Sequence, residues 1–333
     1  MRLALGLVAL LALLWSGYWV VGATAKNRAL TAWFEDRRAD GWVAEYRDIA
    51  VRGFPNRFDT TISGLDLADP ETGVAWRAPF FQLFALSYRP NHVIAVWPPE
   101  QSVASPYETV TVAAADMRAS VVFEPDTQLA LDRSTMELDS FRLTGDSGWE
   151  SGVARAVLAT RRDAARANHY DIAFEATGVR PAEATRRALD PTGFLPNEVQ
   201  RMALAVTMGF DAPWNRAAIE ERRPAVTAVE LDDLTAIWGD LELRATGTLA
   251  VDAAGYPEGR ITVKAQNWRE MLAIAVAAGA LPQGLADTLE RGLAVMAGMS
   301  GHPDTLDAPL DFAGRRVSLG PIPLGPAPRL RLR

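Results

Sequence analysis

The strongest constraint on this chain is a residue period of two. Leu241, Leu243, Ala245, Gly247, Leu249 and Val251 alternate with Glu242, Arg244, Thr246 and Thr248. After the turn-rich segment from Ala253 to Gly259 the pattern resumes, with Ile261, Val263 and Ala265 set against Arg260, Thr262, Lys264 and Gln266. Successive strand residues point to opposite faces, so the two runs predict a hairpin with one apolar and one wet face. Met117, Ala119, Val121 and Phe123 repeat the pattern, as do Tyr170, Ile172, Phe174 and Ala176. Phe80 to Leu86 and Met202 to Phe210 are nearly continuous apolar runs. Around Gly64 the parity slips, from Phe58 and Ile62 to Leu65 and Leu67, which predicts a bulge. Runs of about twelve residues are long for strands and would each measure roughly 40 Å. The expected fold is mainly β. It is a long, curved antiparallel sheet, an open half-barrel or taco-like form, with a few covering helices and one N-terminal transmembrane helix.

Leu3 to Ala25 are 23 consecutive positions without a formal charge. As a helix they would measure about 34 Å, against a bilayer hydrocarbon core of roughly 30 Å. Trp15, Tyr18 and Trp19 stand where amphipathic rings favour the membrane interface, and Arg2 supplies a positive cytoplasmic flank. Ala23-Thr24-Ala25 has the small-x-small form of a signal-peptidase site, so a cleaved signal peptide is the alternative. The apolar run exceeds a usual signal core, and the helical pattern continues through Leu30, Trp33, Phe34 and Arg37, which favours an uncleaved anchor.

The expected organisation is an anchor (or signal peptide) over 1–25, a juxtamembrane helix over 26–40 and one β-rich ectodomain over 41–333. Within the ectodomain a helical insert is expected at about 268–299. Asn267 is read as its N-cap, Gly279 as a helix stop, and a second helix starts near Pro282 with Leu285, Leu289, Leu293 and Met296 on one stripe. A short helical stretch is expected from Pro213 to Arg223. The tail over 320–328 carries prolines at 321, 323, 326 and 328 and should lie extended.

The chemistry of a catalytic site is not visible. His92, His169 and His302 are scattered without metal-ligand spacing, and no nucleophile elbow or phosphate-cradling loop occurs. Asp232 and Asp233 are neighbours in a strand and point to opposite faces. With no cysteine there is no thiolate nucleophile or ligand. We therefore assign no catalytic residue, metal or cofactor and read the chain as a non-enzyme. A formal charge of −7 excludes the basic footprint of a nucleic-acid binder, and Arg161-Arg162, Arg186-Arg187 and Arg222-Arg223 read as solvated faces.

What stands out is apolar strand surface, which must be covered. It either closes as a dry core or stays open as a groove accepting acyl chains. Leu241, Leu243, Leu249, Ile261, Val263, Ile172 and Phe174 are the expected lining.

Three stretches resemble a bacterial family catalogued as domain of unknown function 2125. They are Gly53 to Phe58, the block from Trp238-Gly239 through Gly247, Asp252, Gly255 and Gly259, and the tail from Gly320 to Pro328. That family looks like a relative of the AsmA-like envelope proteins, which carry an inner-membrane anchor and a periplasmic curved sheet with an apolar groove. The resemblance implies an inner-membrane protein with its N-terminus cytoplasmic and its bulk periplasmic. It also implies phospholipid acyl chains as partners and a role in lipid movement and envelope integrity. A structural or assembly factor is the alternative, with an envelope protein or a second copy of the chain held through a sheet edge or the proline-rich tail.

Overall fold

The computed structural model describes residues 1–191, 193–279, 281–299, 303–320 and 322–331. Eighteen strands and five helices lie among the described residues, and every pairing given below is antiparallel. The chain forms two compact units, Met1–Pro125 with Met136–Gly148, and Asp126–Thr135 with Trp149–Arg333. Composition does not mark the boundary between them. The chain changes unit inside a strand, Leu131–Gly145, that has none of the glycine and proline enrichment of a linker.

The first unit opens with α1 (Arg2–Ala39), which runs unbroken through Ala23–Ala25. Its C-terminal half lays Leu30 and the buried Phe34 on the sheet core of Ala44, Ile49, Ile62, Leu65 and Ala78. The strands are β1 (Val43–Glu45), β2 (Asp48–Arg52), β3 (Asp59–Ala68), β4 (Ala75–Leu86), β5 (Arg89–Val96), β6 (Glu100–Ala104), β7 (Thr109–Ala113), β8 (Asp116–Phe123) and, from Met136 onward, β9 (Leu131–Gly145). Strand β4 is shared, pairing β5 through Gln82–Leu86 and β6 through Ala75–Arg77.

The bulge expected at Gly64 is absent. Register between β3 and β4 is unbroken from Ser63 opposite Phe80 to Leu65 opposite Ala78. Gly64 instead turns to φ +62° in the interval that also holds Pro79, and both strands change face together there. A left-handed glycine and a residue without an amide donor achieve the kink with no extra residue.

The second unit is a meander in chain order. Its members are β10 (Glu150–Arg162), β11 (His169–Arg180), α2 (Glu183–Leu189), β12 (Val199–Phe210), α3 (Arg216–Glu220), β13 (Val226–Trp238), β14 (Leu241–Val251), β15 (Pro257–Gln266), α4 (Trp268–Ala277), α5 (Gln283–Met299), β16 (Thr305–Ala313), β17 (Arg316–Leu319) and β18 (Ile322–Pro326). The expected β14–β15 hairpin is present, with Gly247 opposite Ile261 and Leu249 opposite Gly259. A bulge does occur in β13. Leu231 and Leu234 face Gly247 and Ala245, so Asp232 and Asp233 together oppose one residue. Two adjacent carboxylates tolerate this site because a bulge leaves a residue outside the ladder and wet.

The wet face carries cross-strand ion pairs: Arg161 with Asp171 at 2.8 Å, Arg201 with Glu175 at 3.2 Å and Lys264 with Asp307 at 3.5 Å. All are solvent-exposed, so each contributes about 0–1 kcal/mol and chiefly keeps that face hydrated. Arg186 and Arg187 both pair with Glu183, and Arg222 pairs with Asp211.

Helices α4 and α5 pack over the apolar face, burying Trp268, Leu289, Leu293 and Ala297 against Ala265, Leu306 and Ala308. The side chain of Met296, the last residue of the expected stripe, lies outside those described. Asn267 holds the expected N-cap position of α4 but makes no side-chain capping hydrogen bond. It sits at φ +57° and turns its side-chain amide to the Asp240 carbonyl, 2.7 Å away, rather than to its own helix. Gly279 at φ +70° ends α4 as read from the sequence. The tail is extended in β18 and then pinned. Arg329 donates to the Tyr256 hydroxyl at 2.9 Å, with its guanidinium 5.0 Å from that ring.

Candidate functional site

Residues directly opposite in an antiparallel ladder project to the same face, so the registers of the second unit define side-chain rows across it. One row runs Leu158, Phe174, Leu204, Leu234, Ala245, Val263, Ala308 from β10 to β16. The next runs Thr160, Ile172, Val206, Leu231, Gly247, Ile261, Leu310. The β13 bulge keeps both rows aligned: without it, Leu231 and Leu234 would face opposite sides.

This band is covered at one end and open at the other. Over β14–β16, Ala245, Leu249 and Ile261 are buried with Val263, Leu310 and Phe312 around them, and Leu243 packs under the α4–α5 cluster. Over β10–β13, Leu158 is 44% and Met202 38% exposed, Ile172, Phe174, Leu204 and Leu234 are half-buried, and Val206 and Ala176 are buried. The expected lining therefore divides. Leu241, Leu249 and Ile261 are core, Leu243 and Val263 are half-buried beside it, and Ile172 and Phe174 stand on the open stretch. Leu158 escaped the sequence reading because Val157 and Leu158 are both apolar and their neighbours are small. Only the register with Phe174 shows which of them shares the face.

A mostly apolar cleft of about 360 Å³ opens between α4 and residues of the β11–β12 connection. Leu189, Phe194, Leu195, Ala273 and Ile274 line it. The loop is held by Asp190, whose carboxylate accepts from the Gly193 amide at 3.0 Å and the Leu195 amide at 2.6 Å. Polar chemistry is sparse. No group of three or more His, Asp or Glu that could hold a metal occurs among the described residues. His92 contacts the Ser120 hydroxyl and His169 the Ala167 carbonyl, both at 2.8 Å, and His302 lies outside the described residues.

In the first unit the three expected interface rings are engaged with protein. Trp15 Nε1 donates to the Pro55 carbonyl at 2.9 Å, Tyr18 Oη to that of Ser87 at 2.6 Å and Trp19 Nε1 to that of Arg57 at 2.8 Å. Residues at i, i+3, i+4 and i+7 share a helix face, and Gly22 completes the stripe. A Cβ at Gly22 would come within 2.6 Å of the Phe58 ring. The Gly53–Phe58 stretch, singled out in the sequence, is thus a collar around one side of α1. Every one of these contacts lies at or before Gly22, ahead of the small-x-small site, so the fold uses the segment that a signal peptidase would remove.

The model of a bacterial family, described as an uncharacterized protein conserved in bacteria (DUF2125), matches residues 19–328. No curated protein and no solved structure matches the chain.

Proposed function

The chain belongs to that DUF2125 family, and from this premise we propose that it is a non-enzymatic, membrane-anchored envelope protein whose second unit takes lipid acyl chains on the open end of its apolar band. The observation that carries the reading is the half-covered band itself: an apolar face that is core over β14–β16, in part under α4 and α5, and exposed at Leu158 and Met202. Each methylene removed from water contributes about 0.8 kcal/mol, so one acyl chain is held without any directional polar contact. This is consistent with a site that offers none. Helix α1, long and apolar enough to cross a membrane, supports the anchor. With the start of α1 cytoplasmic, the β units stand on the far side, in the periplasm. In that placement the protein would guide lipid as the AsmA-like envelope proteins are understood to do, the role the family resemblance implies.

Photocrosslinking in cells tests this on the full chain. A benzophenone side chain at Leu158 or Met202 should yield a phospholipid adduct by mass spectrometry. The same probe at Ala173, exposed on the opposite face of β11, should yield none. Protein adducts in place of lipid at Leu158 and Met202 would overturn the reading in favour of an assembly factor.

A further inference from the structure

The bare part of α1 is too short to cross a bilayer alone. Leu3 to Leu14 precede the first contact with the collar, and twelve helical residues measure about 18 Å against a hydrocarbon core of roughly 30 Å. The apolar run continues to Ala25, alongside the collar. At the collar's own level Val20 and Val21 are 55% and 69% exposed on the side of the helix that the protein leaves uncovered. A span that needs Val20 and Val21 in lipid brings the collar to the same depth. The collar is suited to it. Phe54 and Tyr88 are 57% and 59% exposed, while Phe58 and Ser87 beside them are buried. Arg52 and Arg89 border this tip and are exposed, and Arg57, also exposed, pairs with Asp59 at 3.0 Å. In a chain of net charge −7, arginines around two outward rings are the arrangement that meets phosphate headgroups above acyl chains.

We propose that the β2–β3 loop and the β4–β5 turn form a wedge that enters the bilayer leaflet on the side of the β units, beside the anchor helix. Phe54 and Tyr88 then lie among acyl chains and the arginines at the headgroups. This rests on α1 being a membrane anchor. It goes further by making the first unit itself a lipid-inserted body rather than a cargo hanging from a tether. The three hydrogen bonds from Trp15, Tyr18 and Trp19 fix helix and wedge together, so insertion depth is set by the protein.

The chain has no cysteine, so single-cysteine variants report one site each. Spin labels at Val8→Cys, Phe54→Cys, Tyr88→Cys and Tyr107→Cys are read in the full chain, reconstituted in vesicles of phosphatidylethanolamine and phosphatidylglycerol. Collision with oxygen is compared with collision with a water-soluble nickel chelate. The wedge requires positions 54 and 88 to show the lipid-like sign found at position 8, opposite to the sign at Tyr107, an almost fully exposed residue between β6 and β7. A lipid-like position 8 with water-like positions 54 and 88 sinks the wedge and leaves the anchor standing. A water-like position 8 sinks both.

Discussion

Gly247→Ala is expected to destabilise the second unit by about 3–5 kcal/mol, although it adds one methyl group. Gly247 sits at φ +153° in β14, opposite Ile261, and an ideal Cβ there would lie 2.2 Å from the Arg260 carbonyl oxygen and 2.7 Å from the Ile261 Cα. Those are backbone atoms of a paired strand, so relief requires the two strands to part. Backbone strain of about 1–3 kcal/mol and overpacking of similar size then add. For a unit of this size the melting temperature should fall on the order of 10 °C. Gly284→Ala in α5 is the internal contrast. Nothing lies within 4 Å of its Cβ position, and alanine is the better helix former, so stability should hold or rise by up to about 1 kcal/mol. Circular dichroism melts of the two variants decide the matter. If Gly247→Ala melts with the wild type, the close approach of β14 and β15 is wrong.

The same glycine shows how much of the fold is legible in the sequence. The alternation from Leu241 to Val251 marks a strand with one apolar face, and β14 occupies that span. Alternation alone does not say why position 247 is glycine. The reason lies in Arg260 across the ladder, and a single strand's pattern contains no information about its neighbour's backbone. The block from Trp238 to Gly259 behaves similarly. Trp238 donates to the Pro196 carbonyl, and Asp252 accepts from the Ala254 and Tyr256 amides to shape the hairpin turn. These residues hold the fold, and no ligand chemistry is needed to explain their presence.

The candidate site was half legible for a related reason. Parity tells which residues share a face but not how far along the band the cover extends. Leu249 and Phe174 have the same signature in sequence, yet one is buried and the other stands on the open stretch. Leu249 is buried among residues of neighbouring strands, Val229, Leu310 and Phe312 among them, and Leu243 lies against the α4–α5 cluster; both are tertiary facts. Likewise Trp15, Tyr18 and Trp19 read as interface rings by type. Their i, i+3, i+4 spacing, with Gly22 at i+7, was the signal of a docking stripe.

Trp268→Ala should cost about 3–5 kcal/mol and, if the band accepts acyl chains, should also move where lipid is found. Trp268 is buried at the start of α4 among Leu289, Leu293, Leu306 and Ala308, with its indole N–H donating to the Pro303 carbonyl at 3.0 Å. Truncation removes a large ring from a close-packed cluster and leaves a cavity. Trp268→Phe retains most of the volume and gives up the hydrogen bond, an expected cost of about 1 kcal/mol. The functional consequence separates a plug from a mere core. Leu243 belongs to the same face as Leu158 and Phe174 but packs against the α4–α5 cluster. A benzophenone there should capture no lipid in the wild type. With Trp268→Ala loosening the helices, it should capture phospholipid under conditions where the variant remains folded. Absence of that adduct in the folded variant would mean that the covered rows are ordinary core, and that any acyl-binding surface stops at β13. Its appearance would make the covered and open rows one continuous lipid face, with α4 and α5 setting its length.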